Sequence, residues 1–465
     1  MHGSVQMIRT IFVSALSSLL PSSGILAGII LVLNTGPAFK ASAAIVGTNV
    51  PAQPLTAKRI AALPPRQQAP WREYLERSQR QMKADQAAFQ SELRKLGLRV
   101  PIMPPEGRSA ESVPLNKPAA WYGQAEGQRI AGIVVSFQTP AGGWSKNLDM
   151  SQHPREPGER FAVGNGSRYL GPQDFDIPHD TNWNYVGTFD NDATTTQLHF
   201  LAKAIAASDA DAGKTFRAAF MRGLEYVFAA QYPNGGWPQV WPLQGGYHDA
   251  ITFNDDAMLS VMELLRDAAA GKGEFSFVPP QSRALAAASL SRGLQCVLAA
   301  QIVVNGRRTV WCQQHDPLTL QPASARNYEF PSAVSSESAG LVLFLMDLPE
   351  PGREEIAAVR AAAAWFERTR LCDRAVERDP AAGRRLVTAP GAPPLWARFY
   401  EIGTDRPVFG DRDKTIHDSM EEISVERRRG YGWYRSDGTR VLDKYPEWSR
   451  THARAATLHA PKGPS

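Results

Sequence analysis

The sequence QYPNGGW at residues 231–237 repeats, with few changes, the sequence QTPAGGW at residues 138–144. A weaker copy at residues 301–311 keeps the order of glutamine, glycine and tryptophan, and GYGW at residues 430–433 is a candidate fourth copy. Glycine permits a tight backbone turn, and tryptophan buries a large area against the neighbouring turn. Recurrence of one such unit predicts a repeat architecture.

Apolar residues with helical spacing precede the second and third copies, so each repeat unit is a helix, a glycine-rich turn and a polar loop into the next helix. Helices are predicted at residues 194–208, 216–230, 257–270, 284–300, 336–348 and 354–370. Strand signals are few and short, at residues 132–137 and 307–311. The pattern predicts a mainly α fold of helical hairpins, which can close into a ring lined by helix ends and loops.

Composition divides the chain into three parts. Residues 1–44 hold a long apolar run and then small residues, which is typical of a secretory signal peptide; an uncleaved membrane anchor is the alternative. Residues 45–118 combine a Pro-, Ala- and Gln-rich linker at 46–70 with a long, highly charged helix at 71–96. The third part, residues 119–465, is the predicted functional domain, and we expect it to be secreted or periplasmic.

Bulk composition excludes few functions. The 465 residues carry a net charge of +5 with dispersed basic residues, which is compatible with a polyanionic ligand, and we expect no nucleic-acid partner. We expect no stable membrane association after signal cleavage, and a monomer, because no long apolar heptad is present. Cys296 and Cys312 could form a disulfide or remain buried thiols, while the third cysteine is left over.

Two acidic phrases nearly repeat each other, FDNDA at residues 189–193 and FNDDA at residues 253–257. Each precedes a predicted helix, where carboxylates cap free N–H groups and face the positive end of the helix dipole. One acidic residue per helix would suffice as a cap, so the matched pair predicts two equivalent corners of the scaffold facing one site. Clustered carboxylate and amide oxygens are ligands that calcium prefers.

Three further features are candidates for an anion site. Lys146 follows the first glycine-rich turn, and its alternative interpretation is an exposed surface lysine. Arg326 stands in a polar segment otherwise poor in basic residues, and its alternative is a structural ion pair with Glu329 or Glu337. Residues 395–413 supply aromatic rings that stack on sugars and arginines that hold carboxylates, unless these form internal ion pairs.

Together these phrases resemble the polysaccharide lyase family 10 pectate lyases, over roughly residues 130–440. The phrases that carry the resemblance are residues 142–148, 188–197, 231–238, 251–258, 311–338 and 396–413. The resemblance implies an (α/α) toroid of helical hairpins with long loops and a few short strands. It also implies calcium-assisted β-elimination on polygalacturonate, with 4,5-unsaturated oligogalacturonates as products.

The resemblance also implies roles for particular residues. The catalytic base that removes the C5 proton is Arg326, and Ca²⁺ is bound by Asp190 and by Asp255 or Asp256. Substrate-binding residues are Lys146, Asn191, Tyr328, Arg406 and Arg412. Because arginine normally stays protonated, a base role requires neighbouring positive charge and a high working pH, so an alkaline optimum is expected.

Two other classes of protein share parts of this pattern. Toroid-fold terpene cyclases and prenyltransferases combine Gln…Gly…Trp repeats with acidic clusters, but they need an apolar cavity. A non-catalytic protein that binds acidic polysaccharide through calcium would keep the acidic phrases and lack turnover, and Arg326→Ala distinguishes this case from a lyase. A scaffold without a site would leave the paired acidic phrases unexplained.

Overall fold

The computed structural model describes residues 45–163, 174–175, 185–209 and 211–452. The predicted signal peptide lies outside these residues. In the described part of the chain, no helix is long and apolar enough to cross a membrane. The α-helices are α1 (Ala57–Ala61), α2 (Pro65–Lys95), α3 (Ser109–Ser112), α4 (Ala125–Ser136), α5 (Thr195–Ala207), α6 (Ala212–Ala230), α7 (Ala257–Ala270), α8 (Pro280–Ala300), α9 (Ser335–Met346), α10 (Arg353–Thr369), α11 (Val425–Gly430) and α12 (Gly438–His452).

The strands are short, and those described pair in antiparallel fashion. They are β1 (Ile45–Thr48), β2 (Gly187–Thr188), β3 (Val240–Trp241), β4 (Ile251–Thr252), β5 (Val303–Val304), β6 (Arg307–Arg308), β7 (Gln314–His315), β8 (Pro322–Ala323), β9 (Ala333–Val334), β10 (Arg374–Asp379), β11 (Gly383–Thr388), β12 (Trp396–Ala397), β13 (Phe399–Tyr400), β14 (Phe409–Gly410), β15 (Thr415–His417) and β16 (Tyr434–Arg435). The strand predicted at 132–137 is wrong, because a short apolar run also fits a buried helix and these residues end α4.

The long helices form two rows. Helices α5, α7 and α9 are buried over most of their length and contact one another in turn. Helices α6, α8 and α10 each pack beside one member of this buried row, and α12 packs on α9 and α10. The three helices of the buried row are on average more apolar than the three outer helices, in keeping with their position. The result is a mainly α fold, the (α/α) toroid of helical hairpins.

A tryptophan packs at the C-terminal part of each of four alternate helices, α4, α6, α8 and α10, where its indole N–H donates to a backbone carbonyl. The pairs are Trp144 with Val134 at 2.7 Å, Trp237 with Val227 at 2.9 Å, Trp311 with Val297 at 2.7 Å, and Trp396 with Phe366 at 2.9 Å. The fourth member is therefore Trp396 and not Trp433, which bonds to Arg427 of the short helix α11. The β10–β11 hairpin separates Trp396 from α10, so the sequence spacing conceals this copy.

A glutamine ties each of the first three turns to the next outer helix. Its amide Nε2 donates both to a carbonyl in or beside its own turn and to a carbonyl of the following helix. The bonds are Gln138 to Gly142 (2.7 Å) and Ala219 (2.8 Å), Gln231 to Gly235 (2.9 Å) and Ser289 (2.9 Å), and Gln301 to Thr309 (2.9 Å) and Ala358 (3.1 Å). The repeated glutamine thus sets the spacing between neighbouring units.

The segment before residue 119 packs against the helical scaffold. Residues 45–48, which composition assigned to the start of a linker, instead form β1 and pair with β15. Helix α2 begins six residues earlier than predicted, at Pro65, and packs Trp71 and Tyr74 on the ring of Tyr232, with ring centroids 5.1 and 4.8 Å apart. The Tyr74 hydroxyl donates to the Ala230 carbonyl at 2.9 Å, so α2 is fastened to the end of α6.

The three cysteines are free thiols. Cys296 and Cys312 are buried, and Cys372 is exposed. Burial raises the pKa of Cys296 to about 12, so this thiol stays protonated and serves as a small apolar side chain.

Candidate active site

The two acidic phrases fold into the same short turn, one before α5 and one before α7. Acidic turn 1 is Asp190–Asp192, acidic turn 2 is Asn254–Asp256, and the two turns contact each other. In each turn the second and third residues have left-handed backbone, with φ of 52° and 57° in turn 1 and 49° and 55° in turn 2. Asn and Asp tolerate this conformation better than other non-glycine residues, and such strain concentrates at functional sites.

The expectation that these carboxylates cap helices is wrong. No side chain caps the first turn of α5 or α7. The acidic side chains bond elsewhere: Asp192 accepts from the Ser260 hydroxyl at 3.0 Å, and Asp255 accepts from the Asn254 amide at 2.7 Å. These carboxylates therefore do not act as helix caps, and Asp192 instead joins its turn to α7. We call the region around the two acidic turns, Lys146 and Arg326 the cleft.

Asp190 and Lys146 form an ion pair at the centre of the cleft. The Lys146 ammonium bonds to Oδ2 of Asp190, whose side chain is 5% exposed. Burial raises the pKa of Asp190, but the charge and hydrogen bond of Lys146, the charge of Arg326 and a contact with Gln239 together outweigh it, so the pKa is lowered and the carboxylate is ionised. Its Oδ1 atom is buried and makes no hydrogen bond of good geometry to a described residue. Lys146 is therefore part of the cleft and not an exposed surface lysine.

Asp255 and Asp256 lie at the mouth of the cleft and remain exposed to solvent. Although Asp255 is exposed, the protein around it displaces much of its water, and this desolvation together with the negative charges of Asp190 and Glu337 raises its pKa to about 6. The surrounding protein and the charges of Glu337 and Asp192 raise the pKa of Asp256 to about 7. Burial is the larger cause of both shifts and neighbouring carboxylates add to it, and a bound cation would oppose both effects.

Arg326 follows β8 in a tight turn and is paired with Glu329. Its Nη2 and Nε lie 2.5 and 2.7 Å from the two carboxylate oxygens of Glu329, and the Tyr431 hydroxyl donates to the same carboxylate at 2.8 Å. The structure thus contains one of the ion pairs that the sequence allowed. The pair does not remove Arg326 from the site, because its charge also lowers the pKa of Asp190 and its side chain is 34% exposed.

The pKa of Arg326 is shifted away from the neutral form that a base role requires. Burial would lower the pKa of Arg326, but the attraction of Glu329, with a smaller contribution from Tyr328, outweighs it and raises the pKa well above the ordinary value. The carboxylate of Glu329 lies against the guanidinium and stabilises its charged form. In this arrangement Arg326 is a cation.

A second arginine–carboxylate pair was missed by sequence analysis. Arg398 bonds to Glu337 near the start of α9, and its Nη2 lies 3.3 Å from Oδ1 of Asn254 in acidic turn 2. Gln313 donates to both Asn254 (2.6 Å) and Glu337 (3.0 Å). The position of Glu337 in the first turn of the third buried helix was the available signal, because it matches the position of the two acidic turns.

Three arginines surround the ring of Tyr328. The guanidinium carbons of Arg326, Arg412 and Arg427 lie 5.1, 5.4 and 4.3 Å from the ring centroid. Arg412 and Arg427 share the carboxylate of Glu426, with Arg412 Nε at 2.9 Å. Tyr328 and Arg412 therefore lie beside Arg326, and so does Arg427, to which no sequence motif pointed.

Arg406 has its own partners. Its guanidinium pairs with Glu401 at 3.1 Å and with Asp418 at 3.6 Å. No contact recorded for the described residues joins it to the acidic turns or to Arg326. The pair with Glu401 matches the alternative that residues 395–413 hold internal ion pairs. Arg406 thus differs from Arg412, which lies beside Tyr328 in the site.

His248 is a buried member of the cleft that no sequence motif indicated. Its Nδ1 lies 3.0 Å from Oε1 of Gln239. Burial and the positive charge of Lys146 lower the pKa of His248 to about 3, so the ring is neutral at physiological pH. It is a hydrogen-bonding group and not a charge in this site.

The donor atoms suit a hard cation, but they form an incomplete set. Within the described ranges, no three His, Cys, Asp or Glu side chains lie close enough together to hold a metal ion by themselves. Oδ1 of Asp190, which makes no hydrogen bond of good geometry, and the carboxylate of Asp255 are oxygen ligands of the type calcium prefers. The residues therefore fit a calcium ion that takes its remaining ligands from outside the protein.

A helical toroid whose cleft pairs acidic turns with arginines around a tyrosine is the architecture of a polysaccharide lyase. The family model for pectic acid lyase matches residues 138–442, well over half of the chain, and the protein belongs to this family. The family 10 polysaccharide lyase from Cellvibrio cellulosa is 31% identical, with a TM-score of 0.60 over 74% of this chain and 99% of that chain. An aspartate-to-alanine mutant of that enzyme in complex with trigalacturonic acid gives 31% identity and a TM-score of 0.59 over 73% and 99%.

A search of curated proteins found no match. The family match and the two solved structures confirm the predicted family, the helical toroid and a lyase activity. They exclude the terpene cyclase alternative.

Proposed function

We propose that this protein cleaves polygalacturonate by calcium-assisted β-elimination and releases 4,5-unsaturated oligogalacturonates. The observation that carries the proposal is the position of Asp190. This ionised carboxylate has one buried oxygen without a good hydrogen bond, and both acidic turn 2 and Arg326 lie close enough for mutual effects on pKa. The complex of the Cellvibrio enzyme with trigalacturonic acid supports the choice of substrate class.

Asp190 and Asp255 or Asp256 would hold the calcium ion, with a carboxylate of the substrate among the remaining ligands. When bound, calcium neutralises a substrate carboxylate and so makes the adjacent C5 proton more acidic. Lys146 keeps Asp190 ionised and supplies a second positive charge toward the substrate. Asn191, exposed between Asp190 and Asp192, adds an amide that can bond to sugar hydroxyls.

Arg326 would take the C5 proton. The electrons of the C5–H bond form the C4–C5 double bond, and the C4–O bond breaks with its electron pair on the leaving oxygen. Only the neutral guanidine can accept a proton, whereas Glu329 holds Arg326 in its charged form. The neutral fraction therefore grows with pH, and the proposal requires a rate that rises into the alkaline range.

Arg412 would bind the polymer beside the reacting sugar, and the buried side chains of Tyr328 and Arg427 would hold it in position. Arg412 and Arg427 share one carboxylate, Glu426, so this group has a net positive charge. Guanidinium groups hold uronate carboxylates in a forked arrangement, and the buried ring of Tyr328 keeps the neighbouring guanidinium groups in place by cation–π contacts.

The test is ultraviolet absorbance of polygalacturonate with purified protein at alkaline pH, with calcium and then with a chelator. We expect absorbance of the unsaturated product to rise with calcium and to stop on chelation. Arg326→Ala should retain polymer binding and lose at least about 100-fold in rate, within the range that one proton-transfer group contributes. Arg308→Ala is the matched control, because Arg308 forms an exposed pair with Glu354.

Two outcomes would contradict the proposal. If the wild-type protein binds polygalacturonate in the presence of calcium but makes no product, the non-catalytic binding protein is correct. If absorbance rises equally with calcium and with chelator, elimination occurs without the metal and the assignment of Asp190 as a ligand fails.

A further inference from the structure

The side chain of Asn49 is inserted into the turn that carries Arg326. Asn49 directly follows β1 and is 3% exposed. Its amide nitrogen lies within hydrogen-bond distance of three backbone carbonyls, those of Arg326 (3.1 Å), Asn327 (3.0 Å) and Glu329 (3.1 Å). Two amide hydrogens serving three carbonyls form a shared, bifurcated arrangement.

The other end of the Asn49 amide is also used. Its oxygen accepts from the Ser324 hydroxyl at 2.9 Å, and Ser324 is joined to the Val50 carbonyl as well. The backbone N–H of Asn49 donates to the Lys414 carbonyl at 2.7 Å. One side chain from the start of the described chain therefore holds both sides of a turn that lies almost three hundred residues later.

The same turn holds the Arg326–Glu329 pair. The Glu329 N–H donates to the Arg326 carbonyl at 2.8 Å, and the Arg326 N–H lies 3.2 Å from the Glu329 carboxylate. Asn49 contacts the carbonyls of both residues, so it fixes the backbone from which both side chains of the pair project. Loss of these bonds would free the turn without removing any group that faces the cleft.

We propose that Asn49 is a positioning residue of the active site and that residues 45–50, the N-terminal strap, complete that site. The strap lies outside the region matched by the family model, which begins at residue 138. Pairing of β1 with β15 holds the strap in register, so Asn49 enters the turn from a fixed direction. The proposal rests on the proposed function, since it takes Arg326 as the group that must be placed.

The experiment compares Asn49→Asp, Asn49→Ala and Thr48→Ala in the full mature chain. Asn49→Asp keeps the acceptor for Ser324 but puts an oxygen against three carbonyls. Thr48 is the matched control, because it is the neighbouring exposed residue of the strap. Steady-state kinetics on polygalacturonate are measured well below the unfolding temperature of each variant, together with hydrogen exchange of the peptide that spans residues 323–331.

We expect both Asn49 variants to lower kcat by about 10- to 100-fold, as a displaced catalytic group does, while KM changes much less. Lys146 and the acidic turns lie on other elements, which is why substrate binding should persist. Exchange in residues 323–331 should become faster in both variants and stay unchanged in Thr48→Ala.

Wild-type kcat in a folded Asn49→Asp variant would overturn the proposal, and so would unchanged exchange in the turn. The proposal would also fail if the loss in kcat, expressed as a free energy, equalled the loss in the free energy of unfolding while hydrogen exchange in residues 323–331 stayed normal. That result would indicate a general structural role for Asn49. If the proposed function itself is wrong, the wild-type protein will make no product, which is a different result. The hydrogen-exchange measurement does not depend on activity.

Discussion

At the scale of single residues, the cleft holds a conflict between charge and chemistry at Arg326. The guanidinium of Arg326 makes two hydrogen bonds to the carboxylate of Glu329. These bonds position the guanidinium and at the same time keep it protonated. A proton acceptor needs the opposite state. Glu329 therefore places Arg326 correctly for the reaction but leaves less of it in the neutral form that can accept a proton. The relative size of these two effects can be measured.

The variant Glu329→Gln separates the two effects, since it keeps an acceptor oxygen and removes the charge. Glu329 raises the pKa of Arg326, so its neutralisation lowers that pKa and the neutral guanidine appears at lower pH. We expect the rising alkaline limb of the kcat profile to move to lower pH by about 1 unit or more. The measurement is kcat as a function of pH between the neutral and alkaline ranges.

Glu354→Gln is the control for this variant. It removes the charge of another arginine–glutamate pair, with Arg308, and should leave the alkaline limb in place. A limb that does not move in Glu329→Gln would mean that another group titrates, and Arg326 would lose its role as the base.

At the scale of elements, the fold uses the same connection between helices several times. A glutamine, a glycine-rich turn and a tryptophan connect an outer helix to the next polar loop, and the turn lies against the neighbouring outer helix. Gly235 shows why glycine is needed there. Its φ is 95°, and a Cβ atom would overlap the carbonyl group of Arg292 in α8.

Gly235→Ala should therefore be far more destabilising than the same change in the third turn. Gly306 also has positive φ, 76°, but nothing lies within 4 Å of its Cβ position, so Gly306→Ala isolates the backbone strain. We expect Gly306→Ala to lower the free energy of unfolding by about 1 kcal/mol and Gly235→Ala by about 3 kcal/mol or more. Denaturant titration of both variants measures the difference.

Similar losses in the two glycine variants would show that conformational strain alone sets the requirement. In that case the close approach of the turn to α8 would have no energetic weight, and the turn would not define the spacing between units.

At the scale of the whole molecule, the site exists because the buried row places the starts of α5, α7 and α9 side by side. Acidic turn 1, acidic turn 2 and Glu337 come from these three starts, and their charges add to the effect of burial in raising the pKa of Asp255 and Asp256. The positive ends of the helix dipoles partly offset this accumulation of negative charge. A cation and an anionic polymer would complete the balance together.

Calcium and substrate should therefore stabilise the protein cooperatively. The described residues lack a preformed group of three ligating side chains, so calcium alone should bind weakly. With Arg326→Ala, which should not cleave the ligand, we expect calcium plus trigalacturonate to raise Tm by about 5 °C beyond the sum of the separate shifts. Thermal unfolding with each ligand alone and with both measures this.

Magnesium is the matched control, since it retains its water ligands and should give a smaller cooperative shift. A full shift with calcium alone would contradict the prediction, because it would require a site already complete without substrate.

The sequence by itself determined the helical repeat, the two acidic turns and the family. These features depend on local periodicity and on short phrases whose residues are neighbours in the chain. Local patterns gave a wrong prediction where the same pattern fits two different structures. The run at 132–137 proved to be the end of a helix, and the fourth tryptophan proved to be Trp396, separated from its helix by a hairpin.

Only the tertiary structure decided which charges meet. The pairs of Arg398 with Glu337 and of Lys146 with Asp190, and the insertion of Asn49 beneath Arg326, join residues between 44 and 280 positions apart. Nothing in residue spacing specifies such contacts, because they follow from the packing of complete helices and strands. The protonation state of Arg326 belongs to the same class, since it is set by the residues that folding places around it.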